Sequence, residues 1–134
     1  DGRRQGRCKD AAVPLVAFPA HSAPTDLLFY TGTQFPARYR EGVFVAFHGG
    51  WTRPGAEQLG YRVVFIPLID HQPGQWEIFA EGFAGPTAVH NPNDAMYRPM
   101  GLAEGPDGSL YVSDSREGRV WRILYRPRAG SRST

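Results

Sequence analysis

Short apolar runs alternate with polar turns along nearly the whole chain. Each run is about five to eight residues long, rich in β-branched and aromatic residues, and bounded by turn-forming residues such as Gly, Pro and Asp. The runs predicted to be strands are DLLFYTG, VFVAFHGG, YRVVFIPLI, WEIFAEGF, MGLAEG, SLYVSDS and RVWRILY. Between the first two, QFPARYREG is predicted to be a turn that contains one helical turn. This pattern favours an all-β sandwich, barrel or propeller.

An internal repeat favours the propeller among these folds. Residues 42–68 and 108–125 share a Gly, an alternating apolar strand, a polar turn that ends in Gly, and a second strand that carries an Arg. A shorter apolar strand precedes each unit, and the first unit adds a fourth strand whereas the second shows three. Four antiparallel strands make one propeller blade. The sequence therefore predicts an all-β fold with about two four-stranded antiparallel β-propeller blades.

The blades are predicted to span residues 13–126, with a surface segment or linker at 1–12 and a basic tail at 127–134. Two blades cannot close a ring, because a propeller needs at least about four. Open blade faces would also leave apolar surface and unpaired strand edges in water. We therefore expect this chain to be the C-terminal part of a larger propeller, and the alternative is a small stand-alone β domain or sandwich.

The composition is that of an ordinary globular protein, with 41% hydrophobic and 21% charged residues. A net charge of +2 is too small to indicate a nucleic-acid partner. No apolar run approaches the roughly 18 residues of a membrane span, and Pro14 and Pro19 break the N-terminal apolar stretch, unlike a signal peptide. Cys8 is the one cysteine, so no disulfide can close within the chain. Among the basic residues Lys and Arg, only Lys9 is a lysine, and arginine suits the binding of planar anions.

The segment 13–24, VPLVAFPAHSAP, is predicted to be extended, because each proline biases its predecessor away from the helical region. His21 lies in this segment, between Pro19 and Pro24 and just before a strand. A donor held this stiffly would lose little entropy on binding, which suggests that His21 lines a pocket. The alternative is a half-buried histidine that bonds to the backbone.

A second candidate site follows the strand VFVAF. His48 ends this strand, and Gly49 and Gly50 would allow close approach of the backbone to a ligand. Trp51 offers a flat face for stacking, and Arg53 offers a cation. A plain turn after a strand is the alternative interpretation.

The third candidate is Arg98, which directly precedes the innermost strand of the second blade, near the expected central channel. A cation at this point would attract an anionic ligand, and a desolvated Arg–carboxylate pair can be bidentate. An arginine solvated at a loop end is the alternative. In the same blade, residues 106–108 (Pro-Asp-Gly) are predicted to make a hairpin turn and Asp114 to cap the next turn.

Metal and nucleophile motifs are weak in this chain. Asn91, Asn93 and Asp94 offer calcium-type oxygens, but their spacing lacks the glycine and the distal glutamate of an EF-hand loop. His71 and His90 stand alone in predicted loops, without zinc-ligand spacing. The sequence has no GxSxG motif and no phosphate-binding glycine loop. We therefore assign no metal ligand and no catalytic residue to this chain.

Several linked motifs carry a resemblance to a known family: FPAHSAPTDLLFYTGTQFPARYREGVFVAFHGGWTR, GYRVVFIPL and RPMGLAEGPDGSLYVSD. In this order they resemble the C-terminal region of the pyrroloquinoline quinone (PQQ)-dependent glucose/sorbosone dehydrogenase family, in particular its L-sorbosone dehydrogenase type. The resemblance covers roughly residues 8–126. It implies a six-bladed propeller that is periplasmic or secreted and that binds PQQ with calcium in its central channel.

The resemblance also implies cofactor-binding roles for four residues. His21 stands where the glucose dehydrogenase branch has a cofactor-contacting threonine, and His48 or Arg53 falls where that branch has a lysine. Arg98 matches the first of two PQQ-binding arginines, and Met100 replaces the second. The spellings H-S-A-P, H-G-S-W and R-P-x-G are usual in the sorbosone-type branch, and this chain has HSAP, HGGW and RPMG.

The reaction that the resemblance implies is hydride transfer from a sugar, polyol or aldehyde to the quinone, with a histidine base and a calcium ion that polarises the quinone oxygen. In the family, that base and the calcium ligands lie in earlier blades, so the isolated chain is expected to be inactive. The implied partners are the sugar substrate, the remaining blades and a cytochrome or quinone electron acceptor.

Two other functions are compatible with a propeller, because fold alone does not set function. One is a non-catalytic module that binds a protein or glycan partner on its loop face. The other is a lactonase-like or NHL-type propeller, which would need clustered Glu, Asn and Asp metal ligands that the sequence lacks.

Overall fold

The computed structural model describes residues 6–50 and 56–127, which form two antiparallel sheets. The first sheet contains β1 (Pro24–Tyr30), β2 (Gly42–Phe47), β3 (Arg62–Ile69), β4 (Gln72–Pro73) and β5 (Glu77–Ala80). The second contains β6 (Pro99–Glu104), β7 (Leu110–Asp114) and β8 (Val120–Ile123). Short 3-10 helices lie at Gly6–Asp10, Ala37–Tyr39 and Pro92–Asp94. Every predicted strand is therefore present, and so is the helical turn predicted between the first two.

The strand order of the first sheet is β1-β2-β3-β5, with β4 folded back as a short hairpin on the end of β3. The second sheet has the order β6-β7-β8. Each sheet follows the chain as a meander, which is the connectivity of a propeller blade. The predicted all-β blade architecture is confirmed, and the second blade has three strands among the described residues.

The first strands of the two sheets lie side by side and are joined by hydrogen bonds between side chains and backbone. The Asp26 carboxylate accepts the Leu102 amide at 2.7 Å, and the Thr25 hydroxyl donates to the Met100 carbonyl at 2.8 Å. These bonds fix the inner edge of one blade against the inner edge of the next. Strands β1 and β6 are therefore held in a fixed position relative to each other.

Strand β2 explains why the first blade needs cover on both faces. All six of its residues are buried, as expected for a short continuous apolar run. Phe44 lies opposite Leu28 of β1 and Phe65 of β3, while Val43 and Val45 point to the other face of the sheet.

The face that carries Phe44 packs against the second sheet and forms the main core. Aromatic rings from the first blade meet aliphatic side chains of β7 there, and the Tyr30 hydroxyl donates to the Gly108 carbonyl at 2.7 Å. This bond satisfies a buried hydroxyl that would otherwise cost stability. The buried members are Tyr30, Phe35, Tyr39, Phe44, Val63, Phe65, Leu110 and Val112.

The opposite face of the first blade holds a second apolar cluster and an open groove. Val16, Phe18 and Trp76 cover part of this cluster. The rest forms a largely apolar groove of about 680 Å³, beside which Leu27 and Phe29 of β1 are 54% and 60% exposed. A surface of this kind marks an interaction site more often than a solvated face.

The segment before β1 departs from its predicted extended form. His21 and Ala23 have φ angles of 66° and 53°, in the left-handed region, so the prediction is wrong at these two residues. The Ser22 hydroxyl closes a turn onto the Pro19 carbonyl at 2.8 Å. The Ala23 carbonyl accepts the His48 amide at 2.9 Å, and this tertiary bond holds a backbone geometry that local preference disfavours.

None of the described helices is long and apolar enough to cross a membrane.

Candidate functional site at the junction of the two sheets

Two of the predicted site residues meet where the second strands of the two sheets end. Residues 48–50, which we call the junction loop, follow β2 directly and lie against the turn before β1. From the second sheet, Arg98 at the start of β6 and Ser115 at the end of β7 reach the same loop. The antiparallel meander therefore places residues that are about 50 positions apart in sequence at one point.

The two glycines of the junction loop allow close packing within the chain. Gly49 has a φ of 91°, and a Cβ on it would lie 2.3 Å from the Tyr61 ring. A Cβ on Gly50 would lie 2.1 Å from the His21 carbonyl oxygen. Side chains at these positions would clash, so the glycines serve contacts with Tyr61 and His21, whereas the sequence suggested close approach to a ligand.

Arg98 is buried beneath the junction loop, with 8% of the residue exposed. Its Nη2 donates to the Gly49 carbonyl at 2.8 Å, and its Nε donates to the His48 carbonyl at 3.3 Å. The guanidinium carbon lies 5.7 Å from the centre of the Tyr61 ring. The alternative that Arg98 is a solvated loop-end arginine is therefore wrong. The side chain holds the loop and places a positive charge directly under it.

Asp114 supports Arg98 from the end of β7. Its Oδ1 accepts the Arg98 amide at 2.6 Å and the Arg116 amide at 3.1 Å, and its Oδ2 accepts the Glu117 amide at 2.6 Å. Burial alone would raise the pKa of Asp114, but these amide donors outweigh burial and lower the pKa below its ordinary value. The predicted turn cap is confirmed, and the same carboxylate also anchors the start of β6.

This cap gives stability a defined pH dependence. Because the folded-state pKa of Asp114 is lowered, the stabilisation is complete above the ordinary carboxyl pKa of about 3.9. It is lost as the pH falls through the lowered pKa. We expect Asp114→Asn to cost about 1–3 kcal/mol at pH 7 and the difference from the unmodified chain to shrink in acid.

Urea denaturation at a series of pH values between 7 and the acid limit of folding measures this difference. Asp94→Asn is the matched control, since Asp94 is exposed in the 3-10 helix before β6. A gap between Asp114→Asn and the unmodified chain that stays constant with pH would contradict the role of the ionised cap.

His48 contributes an imidazole to the site. The ring is half-buried, and its Nε2 lies 2.8 Å from the Ser115 Oγ. Burial lowers the pKa of His48, and the charge of Arg98 lowers it further, against smaller opposing effects of the Gly49 backbone and Asp114. The lowered pKa favours the neutral ring, which has one N–H donor and one lone pair.

The remaining predicted site residues are placed unevenly. His21 is exposed, and its backbone lies against Gly50, so it borders the junction loop. Trp51 and Arg53 lie outside the described residues. Tyr61 and Ser115 belong to the site and were not singled out from the sequence. Ser115 follows the second strand of its blade as His48 does in the other, and this repeat position was the available signal.

The asparagine-rich loop before Arg98 has a structural role. The Asn91 side chain accepts the Asn93 amide at 2.9 Å and caps the 3-10 helix there. Within the described ranges 6–50 and 56–127, no group of three or more His, Cys, Asp or Glu side chains could hold a metal ion.

The donor set at the junction suits an anion. Arg98 supplies a fixed positive charge and His48 an imidazole, whereas the charged Asp114 carboxylate is engaged by backbone amides. A carboxylate-bearing ligand beside the junction loop would therefore meet the positive charge of Arg98 and the ring of His48.

The fold defines a β-propeller-like protein, in which His48 and Arg98 meet at the junction between two blades. Residues 2–126 match the TrAA12-like family, and the chain belongs to that family.

Two curated relatives and two solved structures show how far the similarity extends. A PQQ-dependent pyranose dehydrogenase of Coprinopsis cinerea is 31% identical over 128 residues, which covers 85% of this chain and 16% of the relative. An uncharacterized protein of Borreliella burgdorferi is 28% identical over 113 residues, which covers 83% of this chain and 28% of the relative. The chain thus spans well under a third of the length of either protein.

The solved structures are the iodide and calcium structures of the Trichoderma reesei carbohydrate-active enzyme of family AA12. They superpose with TM-scores of 0.62 and 0.58, at 24% and 23% identity, over 85% of this chain and 28% and 27% of theirs. At this identity the likeness shows the fold alone.

Proposed function

We propose that this chain forms part of the wall of a PQQ site in a sugar oxidoreductase. The observation that carries the proposal is the meeting of His48 and Arg98 at one blade junction. A relative of the chain is a PQQ-dependent pyranose dehydrogenase. The substrate class that we propose is an aldose or related sugar of the glucose or sorbosone type, as the motif resemblance implies.

PQQ fits the donor set because it carries three carboxylates and an ortho-quinone. When bound, PQQ would supply the hydride acceptor for a sugar, and we propose that a calcium ion bound by other blades would polarise its quinone. Within this chain, Arg98 supplies the positive charge that attracts a carboxylate, and His48 supplies a directed hydrogen bond. His21 and Arg53 are proposed to contact the same ligand.

The packing of the junction loop would favour binding of such a cofactor. Gly49 and Gly50 pack closely against Tyr61 and His21, and Arg98 donates hydrogen bonds to the loop carbonyls. The His48 backbone is therefore fixed before any ligand arrives. Little conformational entropy would be lost on binding, so more of the interaction energy would contribute to affinity.

We propose that other blades of the same propeller are the macromolecular partner of this chain. The groove beside Leu27 and Phe29 is apolar and open, and the opposite face of the same sheet already packs on a neighbouring blade in this way. A further blade is therefore the occupant that the symmetry of the architecture favours. We also propose a cytochrome or quinone as electron acceptor and a periplasmic or secreted location.

A turnover assay tests whether the catalytic groups lie outside this chain, as the proposal implies. With PQQ and calcium added, the chain is expected to give no dye reduction with glucose or sorbosone, because we place the proton-accepting base and the calcium ligands in other blades. It is nevertheless expected to bind PQQ. The assay measures reduction of a redox dye, with the Coprinopsis cinerea pyranose dehydrogenase as a positive control.

Clear PQQ-dependent sugar turnover by this chain would contradict the placement of the base and calcium ligands outside it. Binding of a glycan or protein without PQQ binding would instead favour a non-catalytic propeller module.

A further inference from the structure

We propose that Ser115 is a positioning residue for the cofactor site, whose hydroxyl fixes the orientation of the His48 imidazole. The inference rests on the proposed function, since it concerns how His48 is presented to PQQ. Ser115 belongs to the second blade and His48 to the first. The imidazole of one blade would therefore be set by a side chain of the next.

The first support is the geometry of the contact. Ser115 Oγ lies 2.8 Å from His48 Nε2, which is a full hydrogen bond between neutral groups. The backbone of Ser115 is itself held, because its amide donates to the Arg98 carbonyl at 3.2 Å. Ser115 is exposed, but the hydrogen bond of its backbone amide holds the hydroxyl near the ring.

Hydrogen bonds of Asp114 also hold the turn that carries Ser115. The Asp114 carboxylate accepts the amides of Arg116 and Glu117, and the Asp114 amide donates to the Arg119 carbonyl at 2.8 Å. Ser115 lies inside this closed turn. These hydrogen bonds fix the position of Ser115 relative to β7 and to the junction loop.

The second support is the electrostatic surroundings of the ring. Arg98 lies under the loop and Asp114 lies behind Ser115, and these are the charged side chains that act on His48. Burial and the positive charge of Arg98 disfavour the doubly protonated ring. A serine hydroxyl can both donate and accept, so the Ser115 bond can hold Nε2 in either tautomer of the neutral ring. The bond therefore fixes where the ring points, whichever nitrogen carries the proton.

The third support is the repeat itself. His48 follows β2 and Ser115 follows β7, and these are the second strands of their sheets. The bond therefore joins equivalent levels of two neighbouring blades. Any shift of one blade against the other would turn the ring and change the direction of its free nitrogen.

The experiment measures the ring nitrogens of His48 by long-range proton–nitrogen NMR in the full chain, with His48→Gln used to assign the signal. We compare the unmodified chain with Ser115→Ala and with Ser115→Thr, which keeps the hydroxyl. Ser113→Ala is the matched control, because Ser113 lies on β7 and its hydroxyl accepts the Gly101 amide at 2.9 Å. Signals of His21, His71 and His90 serve as internal references.

We expect the ring-nitrogen shifts of His48 to move in Ser115→Ala, to return to those of the unmodified chain in Ser115→Thr, and to stay unchanged in Ser113→Ala. In parallel titrations with PQQ, Ser115→Ala should bind about three- to tenfold more weakly, and Ser115→Thr should recover the affinity. Identical ring-nitrogen shifts with and without the Ser115 hydroxyl would overturn the positioning role, whatever the PQQ result. A shift change at His48 in a chain that shows no PQQ binding would instead overturn the proposed function.

Discussion

Replacing Phe44 by alanine is expected to destabilise the chain by about 3–5 kcal/mol. Phe44 is fully buried, and its ring lies 4.6 Å from that of Phe79 and 5.0 Å from that of Phe65, centre to centre. It sits in the core between the two blades. The substitution would remove its buried apolar surface and leave a cavity that rigid strand neighbours could not fill.

Urea denaturation followed by tryptophan fluorescence measures this loss. Phe29→Ala is the matched control, since Phe29 lies on β1 but is 60% exposed, and it should cost less than about 1 kcal/mol in the isolated chain. Phe44→Leu should retain most of the stability because it keeps most of the apolar volume. Equal losses for Phe44→Ala and Phe29→Ala would contradict the description of this core.

Replacing Arg98 by methionine is expected to lower stability by about 2–4 kcal/mol, since the carbonyls of His48 and Gly49 lose charged donors. Methionine keeps a long apolar side chain, so the loss would come mainly from the hydrogen bonds. The effect should also be local. Hydrogen exchange of the Gly49 and Gly50 amides should become faster, because the clamp under the junction loop is gone.

Arg116→Met separates this effect from the loss of any arginine. Arg116 is exposed, and the interaction described for its side chain is a long surface ion pair to Glu117, at 3.9 Å. Its loss should change stability by less than about 0.5 kcal/mol. If Arg98→Met leaves exchange at Gly49 and Gly50 unchanged, Arg98 does not hold the junction loop.

Local pattern was sufficient to predict the strands. The run GVFVAF, continuous and apolar, became β2, and the polar turns before and after SLYVSD became the ends of β7. The cap at Asp114 was also predictable, because an aspartate at the start of a turn bonds the amides that follow it. These features depend on residues close together in sequence.

The contacts of the site could not be predicted in the same way. The sequence alone placed Arg98 before the innermost strand of a blade. Its hydrogen bonds to the carbonyls of the junction loop depend on how the two sheets pack. The left-handed backbone at Ala23, directly before Pro24, contradicts the local preference and is held by the amide of His48 in the junction loop. Tertiary packing therefore decided these points.

The partnership of Ser115 with His48 has the same origin. The sequence showed a repeat, and the two residues occupy equivalent places in it. The repeat alone does not predict that adjacent blades bring these two residues within hydrogen-bond distance. Family resemblance gave roles to individual residues. The structure adds that Arg98 donates hydrogen bonds to the loop carbonyls, which links the proposed ligand contacts of His48 to the fold itself.

A fluorescence titration of the full chain with PQQ tests the central claim most directly. The unmodified chain is compared with His48→Ala, which leaves the buried core intact, and with His90→Ala, an exposed histidine in the loop before β6. We expect saturable binding that His48→Ala weakens about tenfold and that His90→Ala leaves unchanged. The absence of saturable binding, or equal affinity in all three proteins, would contradict a PQQ site at the blade junction.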